Sequence, residues 1–215
     1  MADESEKQPI WSAKNQKILT DPFSDNNPVT VQVLGICSAL AVTVMLKPSL
    51  IMGVAVIAVV AGSNFVVSLI RNLIPTQVRI IVEVVIVATL VIMVDQYLKA
   101  FDYQMSKQLS VFVGLIITNC IVLGRLEAFA MGNKPLVSVL DGIGNGAGYA
   151  LVIAVVGFCR EVFGSGSILG YQLIPQGFYD AGFSNNGLMV LPPGAFVLLG
   201  LIIWVQRTAT GTVES

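Results

Sequence analysis

Ser106-Lys-Gln-Leu-Ser-Val-Phe-Val-Gly-Leu-Ile-Ile-Thr-Asn-Cys-Ile-Val-Leu-Gly124 is the stretch on which the fold turns. It is an apolar run about one bilayer deep, yet Asn119 and Cys120 interrupt its inner third. A second stretch, Asn27-Pro-Val-Thr-Val-Gln-Val-Leu-Gly-Ile-Cys-Ser-Ala-Leu-Ala-Val-Thr43, places Cys37 in the same way. Each is shorter and more polar than a standard membrane span, and each carries one thiol at depth. The pair predicts an internal repeat whose cysteines do the chemistry.

The rest of the chain sets the solvent. Of 215 residues, 55% are hydrophobic and 12% charged, with a mean hydropathy of +0.81. Soluble domains carry about 25% charged residues, so half that density with repeated apolar runs predicts an all-α integral membrane protein. A net charge of −1 gives no case for nucleic acid. The chain has no histidine, which removes histidine proton relays, histidine metal ligands and a Ser-His-Asp triad. The polar first 27 residues have no hydrophobic core of the signal-peptide type. They read as a cytoplasmic arm, solvated or lying on a partner or on the bilayer interface through Ile10, Trp11, Ile18, Leu19 and Phe23.

Six apolar segments follow, at roughly 29–46, 49–70, 78–98, 108–124, 142–163 and 187–205. Their hydrophobicity is continuous rather than alternating and too long for barrel strands, so they read as transmembrane helices. The membrane domain covers 28–208 and leaves a short tail, 209–215. Basic residues in short loops favour the cytoplasm. With the N-terminus inside, Lys7, Lys14, Lys17, Arg71, Arg79, Arg125, Lys134 and Arg207 fall on that side, against Lys47, Lys99, Lys107 and Arg160 outside. Both termini are therefore expected in the cytoplasm, and the aromatic 164–186 loop outside.

Three spans per half, an odd number, invert the second half relative to the first. Repeat 1 covers about 28–100 and repeat 2 about 106–208. Arg71 closes the second span and Arg160 the fifth. Inverted repeats commonly place function near the midplane on discontinuous helices, so spans 1 and 4 are expected as broken half-helices.

Cys37 and Cys120 then have three readings: small apolar packing residues, a disulfide, or ligands of a metal centre. A 2Fe-2S cluster normally takes four thiolates. The third reading therefore needs two more from another chain of the same fold. Cys159 has no counterpart in the first repeat and reads as structural.

Several segments resemble a known family. They are Asn27 through Cys37 to Val42, Ser63-Asn-Phe-Val-Val-Ser-Leu-Ile-Arg71, Lys107 to Cys120, Asp141-Gly-Ile-Gly-Asn-Gly146 and Arg160-Glu-Val-Phe-Gly-Ser-Gly166. They are similar to the D and E membrane subunits of the sodium-translocating NADH:quinone oxidoreductase and to their counterparts in the Rnf complex, over about 25–207. The pattern is D-type, and Ser38 matches the quinone-reductase branch where the Rnf branch carries proline. The resemblance implies six spans in an inverted repeat within the bacterial inner membrane. It implies a 2Fe-2S cluster held by Cys37 and Cys120 together with two cysteines of the paralogous E-type chain. It also implies the A, B, C, E and F subunits as partners, the E-type chain being the nearest. FAD, FMN, riboflavin and a second 2Fe-2S centre are implied in those subunits, with ubiquinone as acceptor and sodium moved outward. No complete active site is expected in this chain.

The remaining polar residues have local readings. Glu83 lies four residues after Arg79, and Asp95 four before Lys99, so each is expected in a helical ion pair. Asp141 precedes a glycine run, Gly142 to Gly148, suited to close helix packing. Asn64 and Asn119 are candidates either to bridge helices or to donate to the sulfurs of the implied cluster.

Overall fold

A computed structural model describes residues 13–23, 26–75, 77–101, 114–168, 171–172 and 187–210. The opening half of the deciding stretch, most of the 164–186 loop, the first twelve residues and 211–215 lie outside the described residues. The regular elements among the described residues are helical apart from a two-residue ladder in which Ser167–Ile168 pairs antiparallel with Tyr171–Gln172.

We number the helices in order. Helix α1 is Ala13–Thr20, followed by a tight 3-10 turn, Asp21–Phe23. Helices α2, Ile36–Val42, and α3, Leu46–Ile70, come next. Helix α4 is Arg79–Phe101. Helix α5, Cys120–Arg125, runs into a π-helical turn, Leu126–Ala130. Helix α6 is Pro135–Ser165, α7 is Gly187–Val190 and α8 is Pro192–Thr210.

Three of these, Leu46–Ile70, Arg79–Ala100 and Pro135–Ser165, are long and apolar enough to cross a membrane. At 1.5 Å per residue the 25 residues of α3 reach about 37 Å, against a hydrocarbon core of about 30 Å. Their outward faces are apolar too. Ile80, Ile81, Val85 and Met93 on α4, Val54 and Leu69 on α3, and Val197, Leu201 and Trp204 on α8 are all exposed. Such a surface suits lipid or partner helices rather than water.

The core is an antiparallel seam between α3 and α6. A Cβ built on Gly53 would lie 2.8 Å from Ala150, on Gly146 2.9 Å from Ile57, on Gly142 3.0 Å from Ala61 and on Gly157 2.9 Å from Ser49. The register continues in hydrogen bonds from Asn64 Nδ2 to the Ser138 carbonyl and from Ser68 Oγ to the Asn133 carbonyl. In lipid, helices associate by close packing and hydrogen bonds rather than hydrophobic burial, so small residues at the contact are the expected solution.

The glycine run has two jobs. Gly142 and Gly146, one helical turn apart, face α3. Gly144 and Gly148 face the backbone of α1 and the 3-10 turn, where a Cβ would meet the Leu19 and Pro22 carbonyl oxygens. The expected fifth span begins at 142 with the glycines as its approach; the helix instead starts at Pro135. Proline fits the first helical position because its missing N–H has no intrahelical acceptor there, and close contact on two sides offsets glycine's poor helix propensity. Gly146→Ala is expected to cost about 1–3 kcal/mol through overpacking against Ile57, seen as a lower unfolding midpoint of the purified protein in detergent. Gly200→Ala on α8, with nothing within 4 Å of its Cβ, is expected to leave the midpoint unchanged or slightly raised.

Candidate functional site

Both expected breaks are present, one on each side of Tyr149. In the first, Asn27 ties the chain into a turn: its Oδ1 accepts from the Val29 and Thr30 N–H groups, and its Nδ2 donates to the Pro22 carbonyl. Val33 and Gly35 then take positive φ, 58° and 77°. That conformation is costly for β-branched valine; the next residue closes the turn, the Leu34 N–H donating to the Pro28 carbonyl at 2.8 Å. Helix α2 starts immediately after, with Cys37 second in it and exposed.

In the second break a helical turn at 114–117 stops at Thr118. Asn119 is extended, φ −67° and ψ 120°, and its side chain accepts from the Ile121 N–H as the N-cap of α5. Asparagine is a favoured N-cap for this reason. Cys120 is the first residue of that helix and is half-buried.

The two breaks are bonded to each other. The Gly35 N–H donates to Cys120 Sγ at 2.9 Å, and Asn119 Nδ2 donates to Ser38 Oγ at 3.1 Å. Ser38 Oγ also donates to the Gly35 carbonyl and shares a 2.8 Å hydrogen bond with the Tyr149 hydroxyl. Tyr149, Ser38 and Asn119 are all buried. Positions 85 residues apart in the chain thus meet at one point against α6.

Helix α6 gives the depth. Arg125, at the end of α5, holds Asp141 through two bonds, Nε to Oδ2 at 2.9 Å and Nη2 to Oδ1. Thr43, at the end of α2, receives Arg160 Nη1 at 2.7 Å. On α6, Asp141 lies about 12 Å from Tyr149 in one direction and Arg160 about 16 Å in the other. Helices α2 and α5 therefore run from a shared middle toward opposite ends, and the charged anchors are about one hydrocarbon thickness apart. The cysteines sit at that middle.

The other polar residues sort themselves around this frame. Asp95 pairs with Lys99 as expected, Oδ2 to Nζ 2.6 Å. The expected Arg79–Glu83 pair is corrected: Arg79 pairs with Glu127 instead, because the π turn brings that carboxylate to it. Asn64 bridges α3 and α6. Asn119 caps α5 and donates to Ser38, and the N–H on Cys120 Sγ is that of Gly35. Sequence reasoning misses Gly35 and Tyr149, although a tyrosine amid glycines and aliphatics in a span is itself a signal that its hydroxyl has a partner. Cys159 is ten residues beyond Tyr149, about 15 Å along the axis, and apart from the breaks.

The family model described as "Rnf-Nqr subunit, membrane protein" matches residues 15–203. The chain belongs to this Rnf-Nqr family of membrane subunits. Within the family it is 55% identical over 193 residues to a protein of Shewanella sp. (strain W3-18-1), covering 90% of this chain and 92% of that one. It is 56% identical over 191 residues to a protein of Psychromonas ingrahamii, covering 89% and 91%. Both are named as the D subunit of the Na(+)-translocating NADH-quinone reductase. The Rnf-Nqr match spans both broken segments, α3 to α6 and most of α8.

Proposed function

We propose that this chain is the D-type membrane subunit of a sodium-translocating NADH:quinone reductase, and that Cys37 and Cys120 hold one side of a 2Fe-2S cluster shared with its E-type paralogue. The observation that carries the proposal is the meeting of the two breaks, with the Gly35 N–H on Cys120 Sγ. The names of the relatives support the enzyme.

The residues fit such a group. Iron–sulfur clusters are held by thiolates, and N–H donors to sulfur are among the protein's means of setting their potential. Among the described residues no three histidine, cysteine, aspartate or glutamate side chains group to hold a metal. Two thiols from this chain therefore require two from a partner. Cys37 is exposed on this chain alone, as a ligand at a subunit interface must be. When bound, the cluster supplies one-electron transfer. The chain itself positions two sulfurs at mid-depth, keeps each in the first turn of a short helix whose entry is braced by Ser38, Asn119 and Tyr149, and gives each half of the site a short helix toward one membrane face.

The same reading carries the finer architecture: six spans in two inverted repeats, both termini cytoplasmic, in the inner membrane. The A, B, C, E and F subunits would complete the complex and carry FAD, FMN, riboflavin and a second 2Fe-2S centre, with sodium export coupled to electron flow to ubiquinone. The test is iron and acid-labile sulfide in the purified complex, with electron paramagnetic resonance, in wild type and Cys120→Ala. Unchanged iron with unchanged quinone reduction would return both thiols to a packing role.

A further inference from the structure

We propose that Glu83 and Glu127 form a proton-binding carboxyl pair at the Arg79 end of the bundle, a site separate from the cysteines. Glu83 is 1% exposed, and its Oε1 has no hydrogen-bond partner among the described residues. Glu83 lies one helical turn after Arg79 on α4, and Arg79 binds Glu127, so the two carboxyls flank one guanidinium. Glu127 stands on the π turn, accepts from Arg79 Nη2, and has a side chain 41% exposed.

Two carboxyls gathered on one guanidinium favour a proton between them, because neither ionised group can donate to the other. Charge counting points the same way. With both carboxyls ionised, the Arg79 cluster carries −1 in an apolar bundle; with one shared proton it is neutral, the cheaper state where solvation is poor. The surrounding charges do not supply the missing cation. On α4 Arg79 faces the pair; its Nη2 binds Glu127 and its buried Nε has no partner among the described residues, so one positive charge serves two carboxyls. On α5, Arg125 is committed to Asp141 and lies over the Phe129 ring. On α3, Arg71 donates to the Asn133 carbonyl, while Lys134 stands at the N-cap of α6. No third histidine, cysteine or acidic side chain groups with the pair among the described residues, as a transition-metal site would need; sodium is distinguished by the experiment below. Exposed Glu127 gives the proton its way in and out. The π turn is what aims Glu127 at α4, and such turns concentrate at functional sites.

The experiment is labelling of the intact purified complex with a hydrophobic carbodiimide, which reacts with protonated but not ionised carboxyls, read by peptide mass spectrometry. Glu83 is expected to label near neutral pH, and to lose most of its labelling when the pH is raised by about two units, a hundredfold change in proton activity. Glu127→Gln removes the shared proton's second site and frees Arg79 for Glu83, so labelling of Glu83 should fall several-fold. Infrared spectroscopy supplies a readout that no reagent has to reach: a protonated-carboxyl band that titrates in wild type and is missing from Glu83→Gln. The proposal is overturned if neither labelling nor that band depends on Glu83. It is also overturned if sodium at constant pH and ionic strength abolishes the labelling, which would make the occupant sodium. Neither readout involves iron, so failure here leaves the cluster reading standing, and the reverse holds too.

Discussion

Cys37→Ala and Cys120→Ala are each expected to remove about two irons per complex, abolish one paramagnetic signal and stop quinone reduction, with the complex still assembled. Each cysteine is at the start of a short helix after a break, and neither is fully buried. Removing one sulfur therefore leaves no large cavity, and the folding cost should be small. The loss comes from ligand count: a cluster short of one thiolate has an open iron. Cys120→Ala has a second expected consequence, because it also orphans the Gly35 N–H. That costs about 1 kcal/mol in stability, whereas Cys37→Ala leaves no such donor. Cys159→Ala is the control. Its thiol is about 15 Å along α6 from Tyr149, and iron, signal and activity should all be unchanged. Iron retained in either of the first two variants would remove that cysteine from the ligand set.

How much of this is legible in the sequence depends on the range of the interaction. Apolar length shows α3 and α4 to within a few residues, since lipid imposes length and hydrophobicity directly. The breaks are legible because both cysteine-bearing segments are short and polar for a span, with Asn119 interrupting one of them beside its cysteine. Contacts between distant residues are not. Nothing local marks Arg79 for Glu127 rather than Glu83; i,i+4 spacing favours the near partner, and only the π turn at Leu126–Ala130 decides otherwise. The same is true of the glycine run. Its alternation shows that backbone must approach α6, but not that α3 covers one side and the α1 segment the other. Tyr149 is the clearest case. Its hydroxyl partner, Ser38, is 111 residues away, and only the packed bundle brings the two together.

Arg160→Leu is expected to destabilise the protein by about 3–5 kcal/mol, the range found when one partner of a buried charged network is removed. Arg160 is 1% exposed inside α6. Its Nε donates to the Met189 carbonyl at 2.9 Å and its Nη2 to the Val190 carbonyl at 2.7 Å. Its Nη1 reaches the Leu40 carbonyl at 3.2 Å and Thr43 Oγ1 at 2.7 Å. One guanidinium therefore closes the C-terminal ends of both α2 and α7, whose last carbonyls have no partner within their own helices. Leucine would fill the space but leave those carbonyls unpaired in an apolar interior, where each such group is costly. For a chain of this size the loss corresponds to a fall of about 10 °C in unfolding midpoint, measurable on the detergent-solubilised complex. Lysine should recover only part of it, because a single ammonium cannot span carbonyls on two helices as a planar fork does. Arg71→Leu removes one observed bond, to the Asn133 carbonyl, from a half-exposed residue and should cost about 1 kcal/mol. The functional consequence separates anchoring from bulk stability. Arg160 ties down the helix that carries Cys37, so below the unfolding temperature Arg160→Lys should shift the paramagnetic signal of the cluster while iron content stays whole. A signal unchanged in Arg160→Lys, with the midpoint lowered, would confine Arg160 to holding the fold.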